Sequence, residues 1–420
     1  MSATQDNAPR SAKSGGLPGR LFPALAEPAL RRYACGQVVS VLGSWTQNIT
    51  LNLLVYHLTG MASVLALLNF LLYGPQLVVA PLAGSRIRSG NARRATLCVL
   101  ATSTLLTLSL LTLWILGLLS VKLILLHALA IGISSAIETP ARQMLLVTSL
   151  RDPRLTSNAV AMNTTVYNVG RMVGPSIAGF VYPAFGPGAS FGIYASALAV
   201  MALCVRSMPT GGAARPSRGD SSLRDAVGYV MSDAFSARYL PLLACMGLFA
   251  ASYQTLVPLL ADHAFHDAAH YTGLFFAAAG SGSLSAAILL SSAWGPKASA
   301  RCIALGPWSA VTALLVLALT HAVALSIPAF CLLGFSLTFS ATSTNATIQQ
   351  RCPEHVRGGL VGMYGMAYNG TMPFGYLLAG TASEALGVRS TFSAMALVLA
   401  ACAIAINVFH HIRQRRSGAQ

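Results

Sequence analysis

Charge is what this chain has least of. Only 9% of its 420 residues are Asp, Glu, Lys or Arg, and only 11 of those are acidic. A water-soluble globular domain carries roughly 25% charged residues. A chain this poor in charge, 55% hydrophobic and with a mean hydropathy of +0.63, is excluded from that class and reads as a membrane protein. Motifs are missing as well. The eight cysteines form no CxxC or other ligand spacing, which argues against a metal or redox centre and leaves them as isolated free thiols. Neither a GxSxG nucleophile elbow nor an HExxH metal pair occurs, so no enzyme and no cofactor is expected. The polar segment 1–32 lacks the apolar run and small-residue cleavage site of a signal peptide, so the first apolar run reads as a permanent span. A formal charge of +16 would suit nucleic acid only if the basic residues gathered on one face. They are spread over short loops instead, so no nucleic acid is expected as a partner.

What is present is a series of long apolar runs. A lipid-spanning helix needs about 20 mostly apolar residues. That length predicts an all-α protein of twelve spans near 33–56, 62–84, 95–117, 121–148, 156–181, 189–207, 237–261, 270–293, 298–320, 322–349, 356–382 and 388–410. Lysine and arginine are retained in cytoplasmic loops. With the N-terminus inside, all of the 27 except Lys122, Arg171 and Arg389 fall on the cytoplasmic side, so both termini are expected there. The chain then divides into an N-terminal tail (1–32), six spans (33–207), a cytoplasmic linker (208–236), six more spans (237–410) and a basic tail (411–420). The linker combines a Pro/Gly-rich stretch with a capped amphipathic segment starting at Ser221 or Ser222.

Sliding the sequence against itself by 201 residues aligns 160–191 with 361–392 without a gap. Tyr167 and Asn168 meet Tyr368 and Asn369, Gly174 meets Gly375, Gly179 meets Gly380, Gly186 meets Gly387, and Phe191 meets Phe392. A weaker match sets Gly132 and Ser134 against Gly334 and Ser336. Two six-span halves with a parallel repeat and a long cytoplasmic joint suggest alternating access around a midplane site.

The stretches "GQVVSVLGSWTQNITLNLLVYHLTG", "TPARQMLLVTSLRDPRLTSNAVAMN" and "GRMVGPSIAG" resemble the major facilitator superfamily. Within it they are similar to the bacterial branch of enterobactin-type siderophore exporters and macrolide efflux proteins. The last stretch resembles the superfamily's antiporter motif. Gly170, Gly174 and Ala178 recur every four residues, Gly179 follows, and Pro175 adds a bend, which leaves one helix face small enough for close packing. The resemblance implies that this face seals the cytoplasm-open state. The loop "GSRIRSGNARRATL" keeps Gly84, Arg86, Arg93 and Arg94 of the superfamily's cytoplasmic gate and lacks its aspartate. Those arginines are left to Glu354 or to exposed helix carbonyls.

Arg171 lies inside a span, and Glu138 is the acid found within a span away from its ends. At a rise of 1.5 Å per residue, Arg171 sits about 22 Å and Glu138 about 15 Å above the cytoplasmic ends of their helices, close enough for an arginine side chain to bridge. Arg142, one turn after Glu138, offers the favourable i,i+4 pair. Three roles stay open: a structural network of Glu138, Arg142 and Arg171, Glu138 as a proton-coupling carboxylate, or Arg171 as a contact for an anionic substrate. The first span carries Gln47, Asn48, Thr50 and Asn52, as interhelical glue or cavity lining. Tyr167, Asn168, Tyr253, Gln254, Asn345, Thr347, Tyr368 and Asn369 are candidates to complete a cavity of neutral donors suited to a polyoxygenated substrate. "DHAFHDAAHY" places His263, His266 and His270 on an outer loop, where solvation explains them as well as a metal would, so no metal site is assigned.

The resemblance implies a monomeric, multi-pass transporter of the bacterial inner membrane that exports a small hydrophilic natural product, such as a siderophore, in exchange for protons. A multidrug or macrolide efflux pump is the alternative within transport. A non-transporting receptor on the same fold is the alternative outside it.

Overall fold

The computed structural model describes residues 23–150, 152, 155–208, 223–265, 267–291 and 295–417, and every regular element among them is helical. In lipid the backbone has no water to bond to, so a helix, which satisfies its own N–H and C=O groups, is the form these runs must take. After a short turn at Pro23–Ala26, α1 (Pro28–Thr59) begins with proline in its first turn, where no N–H is needed, and stops at Gly60 in the left-handed region. The second span is two helices, α2 (Ala62–Tyr73) and α3 (Gln76–Arg86), broken at Pro75. Next come α4 (Ala92–Ile115) and α5 (Val121–Thr148), whose N-terminus is capped by the Ser120 hydroxyl.

The expected fifth and sixth spans follow each other directly. Thr156–Arg206, labelled α6, is two helical segments that meet at Gly186, whose φ 75 and ψ 174 are non-helical, a conformation essentially reserved for glycine, and kink the chain between them. Pro183 and Pro187 flank the bend. The linker contributes α7 (Leu223–Ser232), while Ser221 and Ser222 lie outside the described residues. The Tyr229 O–H donates to the Arg351 carbonyl at 3.2 Å, and Asp233 pairs with Arg351 at 3.7 Å, tying the linker to the second half.

That half runs through α8 (Ala234–Cys245), a π-turn at Met246–Ala250, α9 (Tyr253–Phe265), α10 (Ala268–Ser291), α11 (Gly295–Leu319), α12 (Val323–Arg351), α13 (Glu354–Tyr368), α14 (Met372–Leu386) and α15 (Val388–Ser417). Nine stretches among the described residues are long and apolar enough to cross a membrane, with Asn158–Arg206 counted as one. The expected spans at 298–320 and 356–382 are not among the nine, and α11 contributes a shorter apolar helix at Ile303–Leu319. Among the described side chains, seven cysteines are free thiols. Cys245 and Cys402 are not isolated, since they face each other between α8 and α15.

The internal repeat is visible as equivalent contacts. A Cβ at Gly132 of α5 would run into the Leu71 carbonyl of α2, and one at Gly334 of α12 into the Ala279 carbonyl of α10. Ser134 shares a hydrogen bond with Ser103 at 2.9 Å, as Ser336 does with Ser309 at 2.6 Å. Gly174 packs on Trp45 of α1 and Gly375 on Leu248 of the π-turn. Gly186 and Gly387 both have positive φ, and Phe191 and Phe392 just beyond them are fully buried.

The core has a direction. At the end of the bundle away from the arginine-rich loops, one apolar cluster joins both halves through Leu54, Leu65, Phe275 and Phe330. At the arginine-rich end the clusters are separate, one built from residues 24–208 and two from the second half. The halves are sealed together at one end and apart at the other.

Candidate functional site

A polar cavity of about 250 Å³ opens among α1–α6, lined by Ser40, Ser44, Gln47, Asn48, Tyr73, Gln76, Ser103, Thr107, Ser135, Glu138, Thr139, Arg142, Tyr167 and Tyr194. Helix α1 supplies the floor because Gln37, Ser40, Ser44, Gln47 and Asn48 recur at three- and four-residue intervals and so share one face. Close packing fixes that face. Gly170 and Gly174 of α6 meet Val41 and Trp45, and the Thr46 hydroxyl reaches the Gly174 carbonyl at 3.4 Å.

Glu138 and Arg142 stand one turn apart on α5, with Nη2 of Arg142 2.5 Å from Oε1 of Glu138. The guanidinium also donates to Gln37 Oε1 at 2.7 Å and to Ser40 Oγ at 2.9 Å. Arg142 is 4% exposed, whereas the Glu138 side chain keeps 15% of its surface on the cavity. The arginine is sealed behind the carboxylate. Because guanidinium does not give up its proton in proteins, the group in this pair able to take one up is Glu138.

Arg171 is not part of this network. Its guanidinium lies among the phenols of Tyr73, Tyr253, Tyr368 and Tyr376, while Tyr33, Tyr167 and Tyr194 feel Glu138 and Arg142. The 1.5 Å rise sets an expected depth but carries no information on which way the side chain turns.

The other candidates divide. Gln47, Asn48 and Tyr167 line the cavity. Asn52 accepts from Asn69 at 2.8 Å and donates to the Asn48 carbonyl, joining α1 to α2. Gln254 accepts from the Tyr376 hydroxyl at 3.4 Å, and Asn345 is tied to Gln349 within α12. Asn369 lines a second opening of about 240 Å³ with Gln76 and Thr139. The Asn168 side chain and that of Glu354 lie outside the described residues. The cavity thus takes none of its lining from the second half. Gln37, Ser40, Tyr73, Gln76 and Tyr194 were missed as site residues, although the polar period of α1 was a signal for the first two.

Of the gating candidates, Gly179 meets Gly273 of α10, its added Cβ falling 3.0 Å from the Gly273 Cα, and the Pro175 carbonyl touches the same glycine. A Cβ at Gly84 would meet Pro140 at an ordinary contact distance of 3.9 Å. Arg93 bonds the Arg206 carbonyl and Arg32 the Ser207 carbonyl at 2.6 Å, so two arginines satisfy the C-terminus of α6. Arg86 accepts at its carbonyl from Asn91 at 3.1 Å, and Arg94 is exposed. His263 and His270 make local contacts with the Leu259 carbonyl and with Asp267, and His266 lies outside the described residues. Among the described residues no three His, Cys, Asp or Glu side chains come together to hold a metal.

The sequence profile of the family described as "transmembrane secretion effector" matches residues 21–418. The staphyloferrin A transporter of Staphylococcus aureus (strain NCTC 8325 / PS 47) is 24% identical over 380 residues, 85% of this chain and 90% of that protein. The multidrug efflux pump Tap of Mycolicibacterium fortuitum is 28% identical over 253 residues, 57% of this chain and 60% of that protein. Among solved structures, the nucleoside transporter NupG superposes with a TM-score of 0.70 at 13% identity, over 91% of this chain and 98% of that one.

Proposed function

This chain belongs to the transmembrane secretion effector family, transporters of the major facilitator type, and we propose that within it the protein exports a small hydrophilic natural product, a siderophore being the leading class, in exchange for protons. The observation that carries this reading is the cavity itself. It offers hydroxyl and amide groups in a chain that is otherwise 55% hydrophobic, together with a single carboxylate that can take up a proton. Neutral donors and acceptors suit a ligand rich in oxygen, whereas a lipophilic drug asks for an apolar pocket. The similarity to a staphyloferrin A transporter along nearly the whole chain supports the same class.

The positive-inside rule puts the arginine-rich end in the cytoplasm, with both termini there, so the separated ends face the compartment from which an exporter loads. The chain acts as a monomer in the bacterial inner membrane. In the loading state Glu138 is ionised against Arg142. A proton arriving on the carboxylate neutralises Glu138 and leaves the pair with the single positive charge of Arg142, and Gln37 and Ser40 already stand as acceptors for the guanidinium, so Arg142 stays partnered at either stage of the cycle. Proton uptake and release at Glu138 would then bias the bundle between its two openings.

The test is comparative metabolite analysis of cells and medium, with and without the gene, under iron limitation. A chelator that accumulates inside and disappears from the medium is the expected result. Unchanged metabolites with increased drug sensitivity of the deletion strain would transfer the assignment to multidrug efflux, the activity named for the second relative.

A further inference from the structure

Arg171 has no use in the proton path, and its position is costly. An arginine at midplane costs about 2.5–3.5 kcal/mol on insertion scales unless its charge is met. It cannot escape by moving. Gly170 and Gly174 hold its helix against Val41 and Trp45 on one side, and on the other Gly280 of α10 packs directly on the backbone of Met172. Around the guanidinium stand Tyr253 of α9 and Tyr368 and Tyr376 of α13 and α14, all from the second half, with Tyr73 of α2 completing the ring. The rings of Tyr73 and Tyr376 meet at 5.6 Å across the seam between the halves. Tyr253 is 0% exposed and its hydroxyl stands against the Arg171 guanidinium, while Nη2 of Arg171 is buried with its hydrogen-bonding capacity unmet. Tyr73 also lines the polar cavity, so this cluster borders the space in which cargo would lie.

We propose that Arg171 and the surrounding tyrosine hydroxyls form an oxyanion site that receives a carboxylate of the transported molecule at the seam between the two halves. The inference rests on the exporter reading and names the chemistry of its cargo. One guanidinium presents a planar fork that matches the two oxygens of a carboxylate. Its single positive charge is met by one carboxylate group of the cargo. The Tyr253 hydroxyl can only accept from the guanidinium, so its O–H supplies a further donor. Because three of the tyrosines belong to the second half and Arg171 to the first, a carboxylate held here touches both bodies that move relative to each other. Loading the site is thereby linked to the position of the halves, which a ligand confined to the first-half cavity would not achieve.

The test is calorimetric titration of the purified full-length protein with citrate and, separately, with trimethyl citrate, a neutral ester of similar size. Citrate is expected to bind and the ester to bind at least tenfold more weakly. Arg171→Gln should weaken citrate at least tenfold, Arg171→Lys less, and Tyr253→Phe about three- to tenfold, since each removes a donor to a charged group. Tyr253→Phe keeps the question open to measurement should Arg171→Gln not elute as the wild-type species. Equal binding of acid and ester, unchanged citrate affinity in both variants, or no citrate binding by the wild type would overturn the site. Liposome assays separate the two readings. Arg171-dependent citrate binding without pH-driven movement leaves the site standing and removes the exporter, and pH-driven export that is indifferent to Arg171→Gln does the reverse.

Discussion

Glu138 shows how much one side chain decides in a membrane interior. Its neighbour Arg142 is held by three acceptors, of which Glu138 alone is a carboxylate. Glutamine at this position keeps the shape and a hydrogen-bond acceptor for the guanidinium but can neither bind nor release the proton. Glu138→Gln is therefore expected to reduce export driven by an imposed pH gradient in proteoliposomes by at least tenfold, while the purified variant keeps the wild-type elution profile and helical content. Export at the wild-type rate would remove Glu138 from the coupling path. The pair itself was legible in the sequence, because i,i+4 spacing on a helix places two side chains together with no help from the rest of the fold. The surroundings of Arg171 were not legible, because its four phenols come from residues about 80 to 200 positions away, three of them in the other half, brought close by packing.

At the scale of elements, the bundle is held by places where one helix backbone rests on another. Gly334 of α12 leaves no room for a side chain against Ala279 of α10, whereas Gly362 of α13 has open space around it. Gly334→Ala is expected to cost about 1–3 kcal/mol, the usual price of overpacking a tight interior, and to lower the thermal unfolding midpoint in detergent. Gly362→Ala should leave that midpoint unchanged. Equal midpoints for the two variants would mean that the α10–α12 contact relaxes without loss. Part of this was visible in the sequence, since Gly334 is the repeat partner of Gly132 and both turned out to be contact points. The break between the two segments of α6 was visible too, since Gly186 is the repeat partner of Gly387 and both take positive φ.

At the scale of the whole molecule, the end away from the arginines is latched by polar contacts between the halves. The Tyr56 hydroxyl donates to Asp262 Oδ2 at 2.7 Å, and Glu384 of α14 accepts from the Ser63 N–H at the start of α2 at 2.8 Å. A carboxylate there meets the positive end of the helix dipole. A hydrogen bond to a charged group is worth about 1.5–3 kcal/mol, so removing one shifts the balance between the two openings by roughly tenfold or more. Spin labels at Leu118 and Leu386, both exposed at that end, should report a longer distance component in Tyr56→Phe and in Glu384→Gln than in the otherwise unchanged protein. Identical distance distributions would show that the apolar core shared by the halves, not these two bonds, holds that end shut.

The sequence by itself determined the medium, the helices and the pseudo-repeat. Hydropathy, the placement of lysine and arginine, and small-residue spacing are local or periodic properties, and each residue carries them wherever its neighbours lie. Only the tertiary structure decided that the polar cavity belongs to the first six helices, that Arg171 faces the second half, and which end of the bundle is closed. Those outcomes depend on the rotation of each helix about its own axis. A rise of 1.5 Å per residue sets the depth of a side chain, but its direction, turning by about 100° per residue, acquires meaning only once glycine contacts such as Gly170 on Val41 and Gly280 on Met172 have locked one helix against another.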